Sequence, residues 1–235
     1  MLEHGTVYLF CSTEEYVDSN GDVQYYNPLE KYQDNRYSAL ADSDEGMYVT
    51  TNLCVLVENG WLDDLKYICE PTEYHERRYT VKFICDRGVS HEFVRHRVMS
   101  FAQESTRYCN YSKDKFGNEI TFIKPCFLDD SKLALYGPYH TVIRDKSPES
   151  IFIASLNNAE KDYIDLIDLG WKPQEARTVL PNALKTELVV TGFVSDWNHF
   201  FDLRARGTTG APHPQAKELA EPLMKEFIAR KYINN

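Results

Sequence analysis

Three stretches of the chain have the residue pattern of β-strands. Residues 6–11 form a short apolar run. Residues 78–86 alternate so that Tyr79, Val81, Phe83 and Cys85 would share one face of a strand. Residues 186–194 are apolar without a clear period, which fits either a strand or a buried helix.

Apolar residues recur at helical spacing in the other structured stretches. Residues 53–69 would form a helix that ends at Asn59 and Gly60, followed by a second short helix. The clearest pattern runs from Ser147 to a C-cap at Gly170. Further helices are predicted over 172–184 with a break near Pro181, over 195–205 with Ser195 as N-cap, and after 214 with a bend at Pro222.

Between these elements lie polar stretches without a helical or alternating period. Residues 17–48 are rich in Tyr, Asn and Asp, and we predict a mostly irregular segment, either a lid or partner surface or a tolerated surface insertion. Residues 110–120 are predicted to be a polar connection. Trp197 and Phe200 share a helix face and are expected in the core.

Composition narrows the class of protein. With 235 residues, 43% of them hydrophobic, the chain can build a proper core, and we predict one domain over residues 1–235. The formal net charge of -10 excludes a broad basic surface for nucleic acid. A phosphate would have to be bound locally, by a few basic residues.

The six cysteines are scattered without a CxxC pair, which favours free thiols in a reducing compartment over disulfides. The first residues lack a basic region followed by a long apolar stretch, and no run of about 18 apolar residues occurs. We therefore expect a soluble cytoplasmic protein without a membrane partner.

The segment RHRVMSFAQESTRY, residues 95–108, concentrates charge and hydrogen-bonding groups in this acidic chain. Ser90 is a plausible N-cap for a helix that runs through it as far as Arg97. On such a helix Arg95, His96 and Arg97 would point about 100° apart and serve different ligands or faces.

The preceding residues HEFVRH could be mistaken for the HExxH zinc motif. His91 and His96 are five residues apart, hence rotated by about 140° on a helix, and do not ligate one metal from one face. We expect no metal site.

The chemistry of this segment is that of anion binding. Arginine binds phosphate and carboxylate bidentately, and its fork also matches the oxygen edges of a uracil or flavin ring. Arg107, with Ser105 in a loop, would add a second anion-binding element. The residues alone leave two readings open: a site for a small phosphorylated or polar aromatic ligand, and a solvated basic helix end paired with acidic neighbours.

A family resemblance decides between them. RHR, seven further residues, Ser105 and then Arg107-Tyr108 resemble the signature of the flavin-dependent thymidylate synthases. Residues 176–205, with ARTVLP and a terminal Leu-Arg, resemble the second conserved region of that family, and residues 213–220 resemble the segment after it. The likeness gives a family-like region over 49–232 and a divergent N-terminal segment over 1–48.

The resemblance implies an α+β fold, a single mixed domain with a small sheet and several long helices. It also implies a homotetramer in which each site forms where subunits meet. In this family reduced FAD carries a hydride to dUMP, 5,10-methylenetetrahydrofolate supplies a methylene group and NADPH re-reduces the flavin. The product is dTMP, and nucleic acid is not a partner.

Carried onto this chain, the resemblance implies a dUMP site. Ser105 and Arg107 would hold the phosphate side, and Arg204 would lie against the uracil ring as the catalytic residue, favouring the N3-deprotonated pyrimidine. No cysteine attacks the base, and Ser105 has no evident base beside it for a nucleophilic role. The dUMP set is Glu92, Arg95, Gln103, Glu104, Ser105, Thr106, Arg107, Arg177 and Arg204.

The FAD set implied by the resemblance is Thr72, Arg95, His96, Arg97, Gln103, Phe193, Val194, Ser195 and His199. Two features depart from the family. Phe193 and Ser195 stand where members often have Asn and Arg, and CEPTEYHE at 69–76 replaces Gly-His-Glu-Thr-Pro, without a histidine at the expected place. These departures keep open a catalytically weak nucleotide- or flavin-binding relative. An RNA-binding module conflicts with the acidic balance.

Overall fold

A computed structural model of the protein describes residues 5–111, 119–129 and 147–234. The chain divides into two compact units. Unit 1 takes the chain up to Tyr79 together with Gly192–Asp196, and unit 2 takes Thr80–Thr191 and the chain from Trp197 on. The single domain over 1–235 stays a prediction, and the polar connection predicted over 110–120 lies mostly outside the described residues.

Unit 1 is built on a three-stranded antiparallel sheet. Its strands are β1 (Thr6–Cys11), β4 (Ala39–Ser43) and β5 (Gly46–Asn52), with β5 in the middle. Val49 lies opposite both Leu9 on β1 and Leu40 on β4, so apolar side chains meet across the sheet. This confirms the strand predicted over 6–11.

A tight turn joins β4 to β5 and requires a glycine. Gly46 has φ +149°, and a Cβ there would lie 2.2 Å from the carbonyl oxygen of Cys11. No side chain fits at that distance, so Gly46 allows β1 to approach the start of β5.

The prediction that residues 17–48 are mostly irregular is wrong. Besides β4 and the first three residues of β5, this stretch contains β3 (Val23–Tyr26), which pairs with β2 (Glu14–Val17) in a separate two-stranded ribbon. The ribbon is exposed on both faces, so its strands have no alternation of apolar and polar residues to reveal them. Asp18 forms its turn by accepting hydrogen bonds from the amides of Asn20 and Asp22.

The helical prediction for residues 53–69 is confirmed in outline. Helix α1 (Leu53–Asn59) is capped by the Asn52 side chain and ends at Gly60, whose φ of +71° is left-handed. A 3₁₀ helix, Leu62–Tyr67, follows. These elements pack on the sheet around a core that includes Val7, Leu9, Leu29, Tyr32, Val49 and Leu56.

Unit 2 contains a second small sheet with the order β6-β8-β7. The strands are β6 (Arg78–Asp86), β7 (Ser100–Gln103) and β8 (Lys185–Phe193), of which unit 2 holds β6 from Thr80 on and β8 up to Thr191. Strand β8 settles the ambiguity at 186–194 in favour of a strand. Phe83 and Cys85 are buried on β6 while Lys82 and Ile84 are exposed, as the alternation predicts.

The helices of unit 2 differ in length. The elements are α2 (Arg87–Phe93), α3 (Pro148–Asp168), α4 (Pro173–Ala176) with a 3₁₀ turn to Val179, α5 (Val194–Phe201) and α6 (Pro214–Ala229). Ser147 caps α3, and its C-cap is Leu169, one residue before the predicted Gly170. The helix predicted over 172–184 stops at Leu180, just before Pro181.

Helix α5 does not begin at an N-cap serine as predicted. It starts at Val194, because the Asp196 carboxylate accepts a hydrogen bond of 2.9 Å from the amide of Phe193. Ser195 lies within the first turn, where its amide donates to Oε1 of Glu76 at 2.8 Å. The side chain that makes the hydrogen bond at the start of α5 is therefore Asp196, one residue after the predicted serine.

Aromatic side chains fill the core of unit 2. Neighbouring rings lie 4.9 to 6.2 Å apart, mostly edge to face or tilted. Trp197 and Phe200 are fully buried among them, which confirms their place in the core. The cluster comprises Phe83, Phe93, Trp197, Phe200, Phe201 and Phe227.

The fold is of the mixed α+β class with small sheets, as predicted, and two of its helices, α3 and α6, are long. Across the ranges described, no helix combines the length and apolar character needed to cross a membrane.

Candidate functional site

The segment RHRVMSFAQESTRY begins in a turn and continues as strand β7. Helix α2 is capped by Asp86, whose carboxylate accepts a 2.8 Å hydrogen bond from the amide of Val89. The helix ends at Phe93, and turn hydrogen bonds from the amides of Arg95, His96 and Met99 carry the chain to β7. Arg95 and Arg97 are exposed, whereas His96 is buried.

Two predictions about this segment are wrong. Ser90 is not the N-cap but lies inside α2, where its hydroxyl donates to the carbonyl of Arg87. Arg95, His96 and Arg97 do not fan out on a helix, because Ser100 already pairs with Thr191 of β8 and the chain must leave the helix before it. The turn still separates their directions, with the two arginines outward and the histidine inward.

Arg204 comes to His96 from a π-helical turn. The chain after α5 widens into a π-helix over Asp202–Arg206, which ends at the left-handed Gly207. Such turns redirect side chains within a helix and are frequent at functional sites. Neither apolar spacing nor capping residues signal them, and the sequence prediction of one helix over 195–205 missed it.

Three hydrogen bonds hold the guanidinium of Arg204. Its Nη1 donates to Oε2 of Glu92 at 2.5 Å, Nη2 donates to the backbone carbonyl of Glu92 at 3.0 Å, and Nε donates to Nε2 of His96 at 3.2 Å. The structure thus brings together Glu92, His96 and Arg204, which we call the Arg204 cluster.

The donor direction fixes the protonation of His96. Because Nε2 accepts a hydrogen bond from Arg204, the proton of the neutral ring lies on Nδ1. Burial, with further contributions from the charges of Arg204 and His199, lowers the pKa of His96 from 6.5 to about 4. His96 is therefore a neutral acceptor at physiological pH.

The loop after β7 forms a second polar group. The hydroxyl of the buried Thr106 accepts from Nη1 of Arg177 at 3.3 Å, and Nε of Arg107 donates to Gln174 at 3.3 Å. The Ser105 hydroxyl accepts from the amide of Arg107. Arg107 and Arg177 are both exposed. This is an arrangement suited to binding an anion from solution.

Gln103 and Glu104 are held by neighbours in unit 2. The Gln103 amide donates to the hydroxyls of Ser90 and Thr186. Glu104 lies 3.7 Å from the ammonium of Lys185. The sequence analysis did not select Ser90 and Thr186 as partners of Gln103, because it did not predict which elements lie beside each other.

The predicted flavin contacts fall into both units. Thr72, Phe193, Val194 and Ser195 belong to unit 1, while His199 in unit 2 is exposed. Thr72 contacts the ring of His75 through its amide and its hydroxyl, each at 3.0 Å from Nδ1. The amides of Phe193 and Ser195 already donate to Asp196 and Glu76.

A cavity of about 260 Å³ lies beside the Arg204 cluster in unit 2 and shares Glu92 with it. Asp86 and Gln215, which the sequence reading did not select for a polar pocket, are joined there by a 2.8 Å hydrogen bond. The lining contains two carboxylates and neither Lys nor Arg, so it does not suit a phosphate. The lining residues are Asp86, Gly88, Val89, Glu92, Ile123, Pro125, Asn182, Ala183, His213 and Gln215.

In the part of the chain that the structure describes, no group of three or more His, Cys, Asp or Glu side chains is placed to hold a metal ion. None of the six cysteines, all of which lie within the described ranges, forms a disulfide. Burial raises the pKa of Cys85 to about 12 and also raises that of Cys11, so these two thiols stay protonated.

The arrangement can stabilise negative charge in two different ways. Arg204 is a largely buried cation fixed at three points, which suits charge that develops on a bound ring. The exposed arginines 95, 97, 107 and 177 suit phosphate groups that arrive from solvent.

Comparison with known proteins gives a family match. The family described as thymidylate synthase complementing protein matches residues 71–230. A flavin-dependent thymidylate synthase from Geobacter sulfurreducens is 30% identical over 118 residues, 50% of this chain and 43% of that protein. One from Pyrococcus furiosus is 32% identical over 149 residues, 63% of this chain and 53% of that protein. The chain spans about half the length of the curated relatives it matches.

A solved structure is also similar. It is a flavin-dependent thymidylate synthase ThyX from Helicobacter pylori complexed with FAD and dUMP, at 20% identity and a TM-score of 0.46. The likeness covers 66% of this chain and 70% of that chain.

Proposed function

Because the chain belongs to the thymidylate synthase complementing protein family, we propose that it is a flavin-dependent thymidylate synthase. The reaction is the reductive methylation of dUMP to dTMP, with 5,10-methylenetetrahydrofolate as the one-carbon donor and NADPH as the reductant. FAD, when bound, supplies the hydride chemistry.

One observation carries the proposal. The residues matched by the family, 71–230, include the whole of RHRVMSFAQESTRY and also Arg204, and the fold brings Arg204 onto His96 of that segment. Two stretches separated by about a hundred residues thus meet at the one arginine to which the resemblance assigns catalysis.

Arg204 has the main catalytic role in this proposal. Its guanidinium lies against the uracil ring of dUMP and stabilises negative charge as N3 loses its proton, which makes the ring a better nucleophile. Ser105, Arg107 and Arg177 hold the phosphate, for which their loop is suited. The residues that surround the nucleotide are Glu92, Arg95, Gln103, Glu104, Ser105, Thr106, Arg107, Arg177 and Arg204.

The donor set of unit 2 fits FAD. Arg95 and Arg97 present exposed guanidinium groups that match the two phosphates of the cofactor, and His199 and Gln103 offer polar contacts. In unit 1 the fit is poorer at Phe193 and Ser195, whose amides are already used. Thr72, Val194 and His96 complete the proposed cofactor contacts.

The test is the visible absorption spectrum of the purified protein after addition of FAD and then of dUMP. We expect a bound-flavin spectrum that shifts when dUMP is added, because both ligands share one site. Addition of NADPH and methylenetetrahydrofolate should then give dTMP, measured by chromatography. Absence of flavin uptake under all conditions would contradict the proposal.

The same experiment separates the alternative function. Binding of FAD and dUMP without dTMP formation would identify a catalytically weak nucleotide- and flavin-binding relative. That alternative is favoured by Phe193, by Ser195 and by residues 69–76, which lack a histidine at the place that the resemblance leads us to expect. Measurable product rules that alternative out.

Assembly and location are part of the proposal. We expect a homotetramer, four times the 27.3 kDa of one chain, in light scattering after size exclusion. A smaller particle would contradict it. A cytoplasmic location accords with six free thiols.

A further inference from the structure

The guanidinium of Arg204 is held by two residues, Glu92 and His96. Arginine has five N–H donors, and contacts among the described residues use three of them, at Nε, Nη1 and Nη2. Glu92 supplies two of the acceptors, its carboxylate and its own carbonyl. Two donors are left for a ligand, which is the number that a bidentate contact with a ring edge needs.

Burial makes this fixation necessary. The Arg204 side chain is only 18% exposed, and a buried guanidinium without a counter-ion is strongly unfavourable. The Glu92 carboxylate supplies the opposite charge, while Nε2 of His96 accepts the hydrogen of Nε in an otherwise aromatic surrounding that includes Phe200. Without these acceptors, Arg204 would turn towards solvent.

A direct action of the Glu92 carboxylate on the nucleotide would oppose the reaction. A carboxylate repels the phosphate, and as an acceptor for N3–H it would hold on the ring the proton that the ring must lose. In the structure the Glu92 carboxylate is instead paired with Arg204, where it acts on the position of the guanidinium.

We propose that Glu92 and His96 are positioning residues of Arg204, and that Glu92 contributes to nucleotide binding only through that arginine. This inference rests on the proposed function. It assigns to Glu92 a place at the edge of the nucleotide site, and to His96 the role of a neutral acceptor.

A double-mutant cycle on dUMP affinity tests the proposal. Calorimetry would compare the wild type, Glu92→Ala, Arg204→Ala and the double variant. We expect Glu92→Ala to weaken dUMP binding by about tenfold or more in the wild-type background, and by less than about twofold in the Arg204→Ala background. Glu92→Gln, which keeps an acceptor, should recover part of the lost affinity.

The matched control is an exposed carboxylate that pairs with an arginine in the same unit. Oε1 of Glu226 on α6 lies 2.6 Å from Nε of Arg230, which follows the helix, and both side chains are more than half exposed. Glu226→Ala should leave dUMP affinity unchanged. If Glu92→Ala weakens binding equally in both backgrounds, Glu92 touches the nucleotide independently and the proposal is overturned.

A second cycle separates this inference from the proposed function. Urea unfolding of the same four proteins measures the coupling between Glu92 and Arg204 without any ligand. If the wild type binds no dUMP, the proposed function fails, and the urea cycle alone tests the inference. Coupling between Glu92 and Arg204 in the free energy of unfolding would then support the anchoring of Arg204, and independent effects of the two substitutions would overturn it. Coupling in urea without coupling in dUMP affinity overturns the positioning role.

Discussion

Two buried histidines, one in each unit, differ in what they bind. His75 in unit 1 is 4% exposed and His96 in unit 2 is 7% exposed, so burial does not distinguish them. Nδ1 of His75 accepts from the amide of Thr72, and its Nε2 donates to the carbonyl of Leu9 at 3.0 Å. Backbone groups thus satisfy both ring nitrogens.

His96 has the opposite tautomer and a cationic partner. Its Nε2 accepts from Arg204, and two further donors of that guanidinium have no acceptor within the described ranges of the chain. Burial lowers the pKa of both histidines, but only for His96 does a neighbouring cation lower it further. A buried histidine is structural when the backbone completes its hydrogen bonds, and becomes part of a site when a charged side chain depends on it.

The largest effect is expected from Arg204→Ala. Loss of the guanidinium removes the charge that stabilises the deprotonated ring, and removal of such a donor typically slows a reaction by about 100- to 1000-fold. The measurement is the rate of dTMP formation, with circular dichroism to show an intact fold. Arg230→Ala, at the exposed residue that follows α6, is the control and should keep full activity. Retained activity in Arg204→Ala would remove the role assigned to it.

The next effect separates the two histidines. His75→Ala leaves the Leu9 carbonyl and the Thr72 amide without their partner, and we expect a loss of about 2–3 kcal/mol in the free energy of unfolding. The folded His75→Ala protein should bind dUMP as the wild type does. His96→Ala should weaken dUMP binding as well, because Arg204 loses an acceptor. Equal effects on binding would show that the two sites do not differ.

How far the sequence predicted this site depends on the kind of signal. The family resemblance, carried by RHRVMSFAQESTRY and by residues 176–205, was sufficient to select His96 and Arg204 of the Arg204 cluster. The contact between Glu92 and Arg204 was not predictable, because it depends on a π-helical turn and on the early end of α2. Neither leaves a periodic pattern in the chain.

The fold shows the same division. Strands β1 and β6 and helix α3 have one buried face, so their apolar spacing revealed them. The ribbon of β2 and β3 is exposed on both faces, and its aromatic residues gave no alternation to read. Two N-caps were misplaced: Ser90 lies near Asp86, which caps α2, and Ser195 precedes Asp196, whose carboxylate makes the hydrogen bond at the start of α5.

A pH titration of stability sharpens the comparison further. The folded-state pKa of His96 is about 4, below its ordinary value of 6.5. Between these values the unfolded state binds more protons, so stability is full above pH 6.5 and is lost as the pH falls towards 4. At about 1.4 kcal/mol per pH unit, the loss from His96 is at most about 3.5 kcal/mol.

The measurement is urea unfolding between those pH values in the wild type and in His96→Gln. In the variant the free energy of unfolding should fall less steeply with falling pH, because His75 is then the only one of these two histidines that contributes. An unchanged dependence of the free energy of unfolding on pH would mean that folding does not lower the pKa of His96. That result would contradict its role as acceptor for Arg204.

The smallest effect is expected from Thr72→Val, which removes one of two contacts to His75. The amide and the hydroxyl of Thr72 both lie 3.0 Å from Nδ1, but the ring nitrogen has a single lone pair for them to share. The amide remains in the variant, so the free energy of unfolding should fall by no more than about 1 kcal/mol. A loss as large as that of His75→Ala would show that the hydroxyl is the main donor and that backbone groups alone do not hold His75. An FAD titration of the same variant reports separately on the flavin contact that the family resemblance assigns to Thr72.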